Sequence, residues 1–371
     1  MALRIVLAGG GSGGHLFPLT TVKKYIRENY KGKSEFLFLG PKTDLEMEVM
    51  KKHKIPHKWV LCGKLHRYMT FQYVLDIIKV PIGILQALWH LLRYMPNIVF
   101  SKGGFASVPV VIAARFYRIP VLIHESDSIP GLANKFLGSI SNKIAITFER
   151  ARIYFPVHKT ILTGVPVRKE VIGGDPQKAR ELLGIHKEVK PVVFVIGGSQ
   201  GAQLINEKIM FNLAELLKHY QVIHQTGSSH FDLMKYEAET RGFKIGHCDY
   251  YPIAFIGDEI GHIFALADIV ISRAGATAIS ELAANNKASI LVPITKSANQ
   301  HQRINAFEVS KVGGAIVLEE SNFRRTMLFH NLKKIISDKD LNQKLSKNIG
   351  KFYQADATEK IAGELLKLAG K

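Results

Sequence analysis

The chain has 371 residues, 47% hydrophobic and 22% charged, which excludes a disordered polymer and leaves room for two domains with full cores. Its 50 Lys and Arg against 31 Asp and Glu give a formal charge of +19, so it calls for anionic partners: nucleic acid, acidic lipid or a phosphorylated substrate. Cys62 and Cys248 have no metal-type spacing and read as reduced thiols, the start lacks a signal peptide's form, and no apolar run reaches the roughly 20 residues that span a bilayer.

In chain order, residues 4–8 predict a strand running into Gly9-Gly10-Gly11-Ser12-Gly13-Gly14-His15, with a helix over 17–28. Such a turn aims backbone N–H groups at an anion. The spacing fits a dinucleotide loop, but the second strand, 35–40, ends in Gly-Pro without the acidic residue that would hold a ribose, which counts against NAD. His15 falls in the first helical turn, where the helix dipole favours a neutral imidazole able to take a proton; its alternative role is to cap its own turn. Residues 45–52 read as a helix.

From Lys51 to Met95 eight basic residues face only Asp76, and the segment is rich in aromatic and aliphatic residues. Pro81 and Gly83 predict that it splits into two helices with a solvated basic rim. Strands follow at 98–101, 121–124 and 144–147, with a helix at 109–117. Gly103, Gly104, Phe105 and Ser107 form a strand–helix turn that can hold a ligand through its backbone. His124, Glu125 and Asp127 end a strand, where a carboxylate can bind a hydroxyl, orient a base or cap a helix through Ser126 or Ser128. This βα alternation implies a parallel sheet with ligands beyond its carboxyl ends.

A strand at 160–162 and the stretch around Arg168 lead to a charged helix, 177–183. The pattern then restarts at 192–196, which runs into Gly197-Gly198-Ser199-Gln200-Gly201-Ala202. Helices at 203–218, 258–266 and 277–284 alternate with strands at 221–225, 269–272 and 289–293. Ala276, Thr277 and Glu281 open the last of these helices; a carboxylate there can accept both hydroxyls of a ribose or simply favour the dipole. Asn299, Gln300, His301, Gln302 and Asn305 supply paired donors and acceptors suited to a sugar. Two α/β domains are expected, 1–163 and 164–352, with an amphipathic helix within 353–371 returning to the first.

These motifs, in order and spacing, resemble the MurG family of peptidoglycan N-acetylglucosaminyltransferases, two-domain GT-B enzymes of glycosyltransferase family 28. The match runs through Gly9–His15 with Pro18, Gly103–Phe105, Gly197–Ala202 with Asn206, Ser272–Ala276 with Glu281, and His301-Gln302 with Asn305. The family usually has His-Glu-Gln-Asn where this chain has His124-Glu125-Ser126-Asp127, and Asn where it has Val165; Ala278 replaces a common hydroxyl residue.

The resemblance implies UDP-N-acetylglucosamine (UDP-GlcNAc) as donor and lipid I as acceptor, with inversion at the anomeric carbon and no metal or cofactor. His15 is the expected base, with Asp127 or Glu125 as runner-up. Gly103, Gly104, Phe105, Ser107, His124 and Asp127 would line the acceptor side. Ser12, Gly13, Gly14, Ser199–Ala202 and Arg168 would meet the diphosphate. Ile256 would meet uracil, Ala276, Thr277 and Glu281 the ribose, and His301, Gln302 and Asn305 the sugar. The basic apolar region 64–95 would dock on anionic lipid, placing the protein peripherally on the cytoplasmic face of the inner membrane, beside other cell-wall synthesis proteins. Related enzymes that glycosylate diacylglycerol and non-hydrolysing UDP-sugar epimerases share the architecture. A nucleic-acid binder would need a reader element, and the sequence has none.

Overall fold

Apolar runs of four to six residues that end in glycine or polar residues become parallel strands. In the computed structural model, which describes residues 2–63, 71–185, 190–198, 201–295 and 300–371, they form two sheets. Each sheet belongs to its own unit: Met1–Val167 with Ala355–Lys371, and Arg168–Gln354.

The first unit runs β1 (Leu3–Ala8), α1 (Gly13–Asn29), β2 (Ser34–Gly40), α2 (Asp44–Lys52), β3 (His57–Trp59), α3 (Phe71–Tyr94), β4 (Ile98–Ser101), α4 (Val108–Phe116), β5 (Val121–Glu125), α5 (Leu132–Ile140), β6 (Lys143–Ile146) and β7 (Thr160–Leu162). All seven strands are parallel, in the order β3-β2-β1-β4-β5-β6-β7. Alternate residues of β1 feed two separate cores. Leu3, Ile5 and Leu7 pack on one face with α1, and Val6 and Ala8 on the other with residues of α3 and α4. Strands covered on both faces read as unbroken apolar runs, as these do. Chain order reverses between β1 and β4, where Ala8 pairs with Ser101, so the loops after these two strands open side by side.

The second unit runs α6 (Pro176–Leu183), β8 (Val192–Ile196), α7 (Gln203–His219), β9 (Gln221–Gln225), α8 (Phe231–Thr240), β10 (Tyr250–Ile253), α9 (Ile260–Leu266), β11 (Ile269–Ser272), α10 (Ala276–Ala284), β12 (Ser289–Leu291), α11 (His301–Lys311), β13 (Ile316–Val317), α12 (Arg325–Ser337) and α13 (Lys339–Ile349). Its six parallel strands are ordered β10-β9-β8-β11-β12-β13, with the reversal between β8 and β11. The final helix, α14 (Ala357–Leu368), belongs to the first unit, where Ile361, Ala362 and Leu365 are buried against α1, β4 and β5.

The expected break at Pro81 and Gly83 does not occur: α3 is one helix from Phe71 to Tyr94, with Pro81 inside it. Gly83 has another purpose. A Cβ there would sit 1.9 Å from the Leu61 carbonyl oxygen, so the missing side chain lets that loop pass close over the helix. Ala87 and Leu91, one and two turns on from Gly83, are buried, and α3 packs on α4. The opposite face carries Ile78, Ile82, Leu85, Trp89 and Leu92, spaced four and three apart and 42–67% exposed. None of the helices is long and apolar enough to cross a membrane, among the described residues. Of the basic region noted in the sequence, residues 64–70 lie outside the described residues.

Candidate active site

Each unit gathers its sequence motifs at the carboxyl edge of its sheet. In the first, β1 ends in the Gly-rich turn and α1 begins at Gly13, so Ser12 to Gly14 form the helix entrance and His15 its first turn. The His15 Nδ1 lies 2.8 Å from the Gly10 carbonyl oxygen. A carbonyl only accepts, so Nδ1 carries the proton, and in the tautomer this selects Nε2 holds the lone pair. The loop after β4 comes alongside: Gly104 lies against the His15 ring and Phe105 beside Gly11. Ser107 Oγ donates to the Gly103 carbonyl at 2.8 Å, and the Gly104 N–H donates to Asn134 Oδ1 at 2.9 Å.

The acidic cluster is built from behind this loop. Glu125, at the end of β5, is buried, and both of its oxygens are engaged: Oε1 by the Asp127 N–H and Oε2 by Asn134 Nδ2, each at 2.8 Å. Burial and the neighbouring Asp127 push its carboxyl above the usual range. Lys102 is buried beside this pair, and its Nζ has no hydrogen-bond partner among the described residues. Burial lowers its pKa, while Glu125 and Asp127 pull it back up. His124 is buried with Nε2 2.8 Å from the Gly164 carbonyl, and burial holds it neutral. Neither Ser126 nor Ser128 caps α5, whose N-cap is Gly131. Asp127 is the more exposed carboxylate of the two.

In the second unit the loops after β8 and β11 lie side by side, with the Arg273 N–H 3.4 Å from the Ile196 carbonyl. Gly201 has φ +76°, and a Cβ there would lie 2.1 Å from the Thr226 carbonyl oxygen, so only glycine fits this turn into α7. Ala202 is the buried N-cap of α7. Ser199, Gln200 and Asn299 lie outside the described residues. Gln225, at the end of β9, clamps two segments: Nε2 donates to the Gly198 carbonyl at 3.2 Å, and Oε1 accepts the Ile256 N–H at 3.0 Å. Asn206 and His224, 3.0 Å apart, support the same loop, since Asn206 Nδ2 donates to the Thr226 carbonyl.

Ala276 and Thr277 open α10, and Glu281 follows one turn later. Burial raises the Glu281 carboxyl, and Arg168 opposes that shift. Arg168 also lies 3.5 Å from Asp258 Oδ1. His301 and Gln302 start α11, and Gln302 Oε1 accepts the Ile294 N–H at 3.2 Å. Asn305 is fully buried and donates to the Ala274 carbonyl at 3.3 Å, which ties it to the loop after β11.

Comparison with known proteins gives this geometry its family. The glycosyltransferase family 28 N-terminal domain model matches residues 5–146, and the C-terminal domain model matches residues 192–361. A protein of Clostridium novyi (strain NT), the UDP-N-acetylglucosamine--N-acetylmuramyl-(pentapeptide) pyrophosphoryl-undecaprenol N-acetylglucosamine transferase, is 36% identical over 360 residues, 96% of either chain. The chain belongs to glycosyltransferase family 28. A Bacillus anthracis relative named as transferase 2 of the same kind is 37% identical over 333 residues, covering 90% of this chain and 91% of its own. Among solved structures, Acinetobacter baumannii MurG superposes with TM-score 0.73 at 21% identity, covering 98% of this chain and 99% of that one. The UDP-GlcNAc 2-epimerase from Neisseria meningitidis bound to UDP-GlcNAc gives 0.68 at 12% identity, covering 99% and 100%. These two likenesses show a shared GT-B fold.

Within the family 28 frame, the structure explains one departure of this sequence. Asp127 adds a charge where the family usually has Asn, and Lys102 supplies the opposite charge beside it. Sequence reasoning missed Lys102, Asn134 and Gln225, because the fold and not a local motif brings them to their partners: Asn134 stands 9 residues from Glu125 and 30 from Gly104, and Gln225 stands 27 from Gly198. The one signal for Lys102 was a cation directly after a buried strand.

Gln225→Ala tests the clamp. It leaves the buried Ile256 N–H without its acceptor, a cost of about 1–3 kcal/mol, while the Gly198 carbonyl keeps the Gly201 N–H. Titration calorimetry is expected to show UDP binding weakened by roughly tenfold, with the first unit's residues untouched.

Proposed function

We propose that this family 28 chain transfers N-acetylglucosamine from UDP-GlcNAc to the C4 hydroxyl of the muramic sugar of undecaprenyl-diphospho-N-acetylmuramoyl-pentapeptide (lipid I), releasing UDP and forming lipid II. The observation that carries this reading is the likeness, over almost the whole chain, to transferases named for that reaction.

The second unit takes the donor. N–H groups at the entrance of α7 and the Arg168 guanidinium face the diphosphate, whose charge grows as the bond to the anomeric carbon breaks. Glu281 takes the ribose hydroxyls. The Ile256 N–H is already given to Gln225, so the backbone contact to uracil falls to its carbonyl. His301 and Gln302 face the sugar. The first unit takes the acceptor: its hydroxyl gives a proton to His15 Nε2 as the oxygen attacks the anomeric carbon from the face opposite UDP, giving a β1→4 bond. Glu125 is less suited to be the base, since both oxygens already accept hydrogen bonds.

The exposed stripe on α3 supports docking on an anionic membrane surface. Arg93 stacks over Trp89 at 5.6 Å, an amphipathic pair suited to the headgroup region. The double variant Leu85→Glu/Trp89→Glu removes two side chains that each contribute ~1.5–3 kcal/mol when buried. Co-sedimentation with phosphatidylglycerol vesicles is expected to fall by roughly 100-fold or more in partition coefficient, with UDP binding unchanged. Equal partition of variant and parent would remove α3 from the membrane contact.

Acceptor identity is tested by offering a lipid I analogue and diacylglycerol together with labelled UDP-GlcNAc. Label is expected only in the lipid I product; label in diacylglycerol would move the chain to the other branch of related enzymes.

A further inference from the structure

The acidic residue missing from the end of β2 has a counterpart that the spacing did not point to. Glu46 lies in the first turn of α2, where acidic residues ordinarily sit in solvent to favour the helix dipole. Its neighbours Asp44 and Glu48 do so, yet Glu46 is fully buried. Its Oε1 accepts the Gly11 N–H at 2.7 Å, and its Oε2 has no hydrogen-bond partner among the described residues. An isolated buried carboxylate is costly, and an apolar side chain would fill the same place at less expense. One strong hydrogen bond to a backbone N–H is what this carboxylate provides.

That N–H belongs to the Gly10–Gly11 peptide. The carbonyl of the same peptide is the acceptor for His15 Nδ1–H at 2.8 Å. The two bonds therefore grip opposite ends of one planar group. A carboxylate drawing on the N–H polarises the amide, strengthens its carbonyl as an acceptor and fixes the plane's orientation. We propose that Glu46 is a positioning residue for His15, acting through the Gly10–Gly11 peptide. The carboxylate holds the peptide, the peptide holds Nδ1–H, and Nε2 is left as the proton-accepting nitrogen in a fixed direction. This rests on His15 being the base.

The test uses the full chain labelled with 15N-histidine, with His15→Gln assigning the resonances of His15. In the parent, Nδ1 is expected to carry the proton. Glu46→Leu removes the acceptor, and the expected result is a mixture of both tautomers with kcat lower by roughly 100-fold, the scale of a misplaced catalytic group. KM for UDP-GlcNAc should stay within about twofold, because the donor residues are not touched. Glu46→Gln keeps an oxygen at the same place and should restore most of kcat. An unshifted His15 spectrum in Glu46→Leu overturns the relay whatever the rate, as does a change in KM without one in kcat. If Glu46→Leu fails to fold, Glu46→Ala, which also deletes the acceptor, is read in the same way: an unmoved His15 spectrum in it overturns the proposal. His15→Ala at the parent's rate would instead remove the base assignment, while the tautomer readout still judges the relay.

Discussion

His15→Ala is expected to lower kcat by about 10²–10⁴-fold, the range a general base ordinarily contributes, while the Kd for UDP-GlcNAc stays within about twofold. The ring is anchored through Nδ1, and its other nitrogen is the one free of that bond to act. The ring is partly exposed in the first turn of α1, beside Gly104, so an acceptor hydroxyl can approach it. Its competitors are less well placed. Glu125 spends both oxygens on Asn134 and the Asp127 N–H, and burial favours its neutral form. Asp127 is the more open carboxylate, so Asp127→Asn is the necessary control. Quenched-flow turnover with saturating donor separates the two. A deep loss in His15→Ala with a shallow one in Asp127→Asn supports the assignment; the reverse order would move the base to Asp127.

Lys102→Met is expected to destabilise the fold by about 3 kcal/mol. Removing one partner of a buried charge set ordinarily costs about 3–5 kcal/mol, and the low end applies because Asp127 keeps some solvent. The variant leaves Glu125 and Asp127 as neighbours without the Lys102 charge that favours their ionised forms. Asp127→Asn in the same chain removes the Asp127 charge and restores the residue usual in the family. The double variant should therefore be more stable than Lys102→Met alone, and urea unfolding of all four chains closes the cycle. Additive losses would show that Lys102 and Asp127 do not interact.

The sheets were legible because their strands are short, buried on both faces and end in glycine. Val192–Ile196 and Gln221–Gln225 could be bounded to the residue for that reason. The helix α3 was misread because Pro81 and Gly83 punctuate a local pattern, whereas Gly83 answers a tertiary demand, the close passage of Leu61. Strand β13 has two residues and no pattern to detect. The Gly-rich loops and His15 stood out because their chemistry is written in consecutive residues. The groups that hold those loops in place did not. Glu46 reads as an ordinary first-turn acid, Gln225 as the end of a strand and Asn134 as a helix residue. Their roles exist only once the sheet order sets β2 beside β1, β5 beside β4 and β9 beside β8.

The most direct measurement of the central claim incubates the full chain with UDP-GlcNAc and a water-soluble lipid I analogue in EDTA, then reads the product by NMR and mass spectrometry. The account predicts one N-acetylglucosamine added per acceptor, β-linked to the muramic C4 oxygen, with one UDP released for each. UDP release without a glycosylated acceptor, an α linkage, or attachment at another hydroxyl would contradict it.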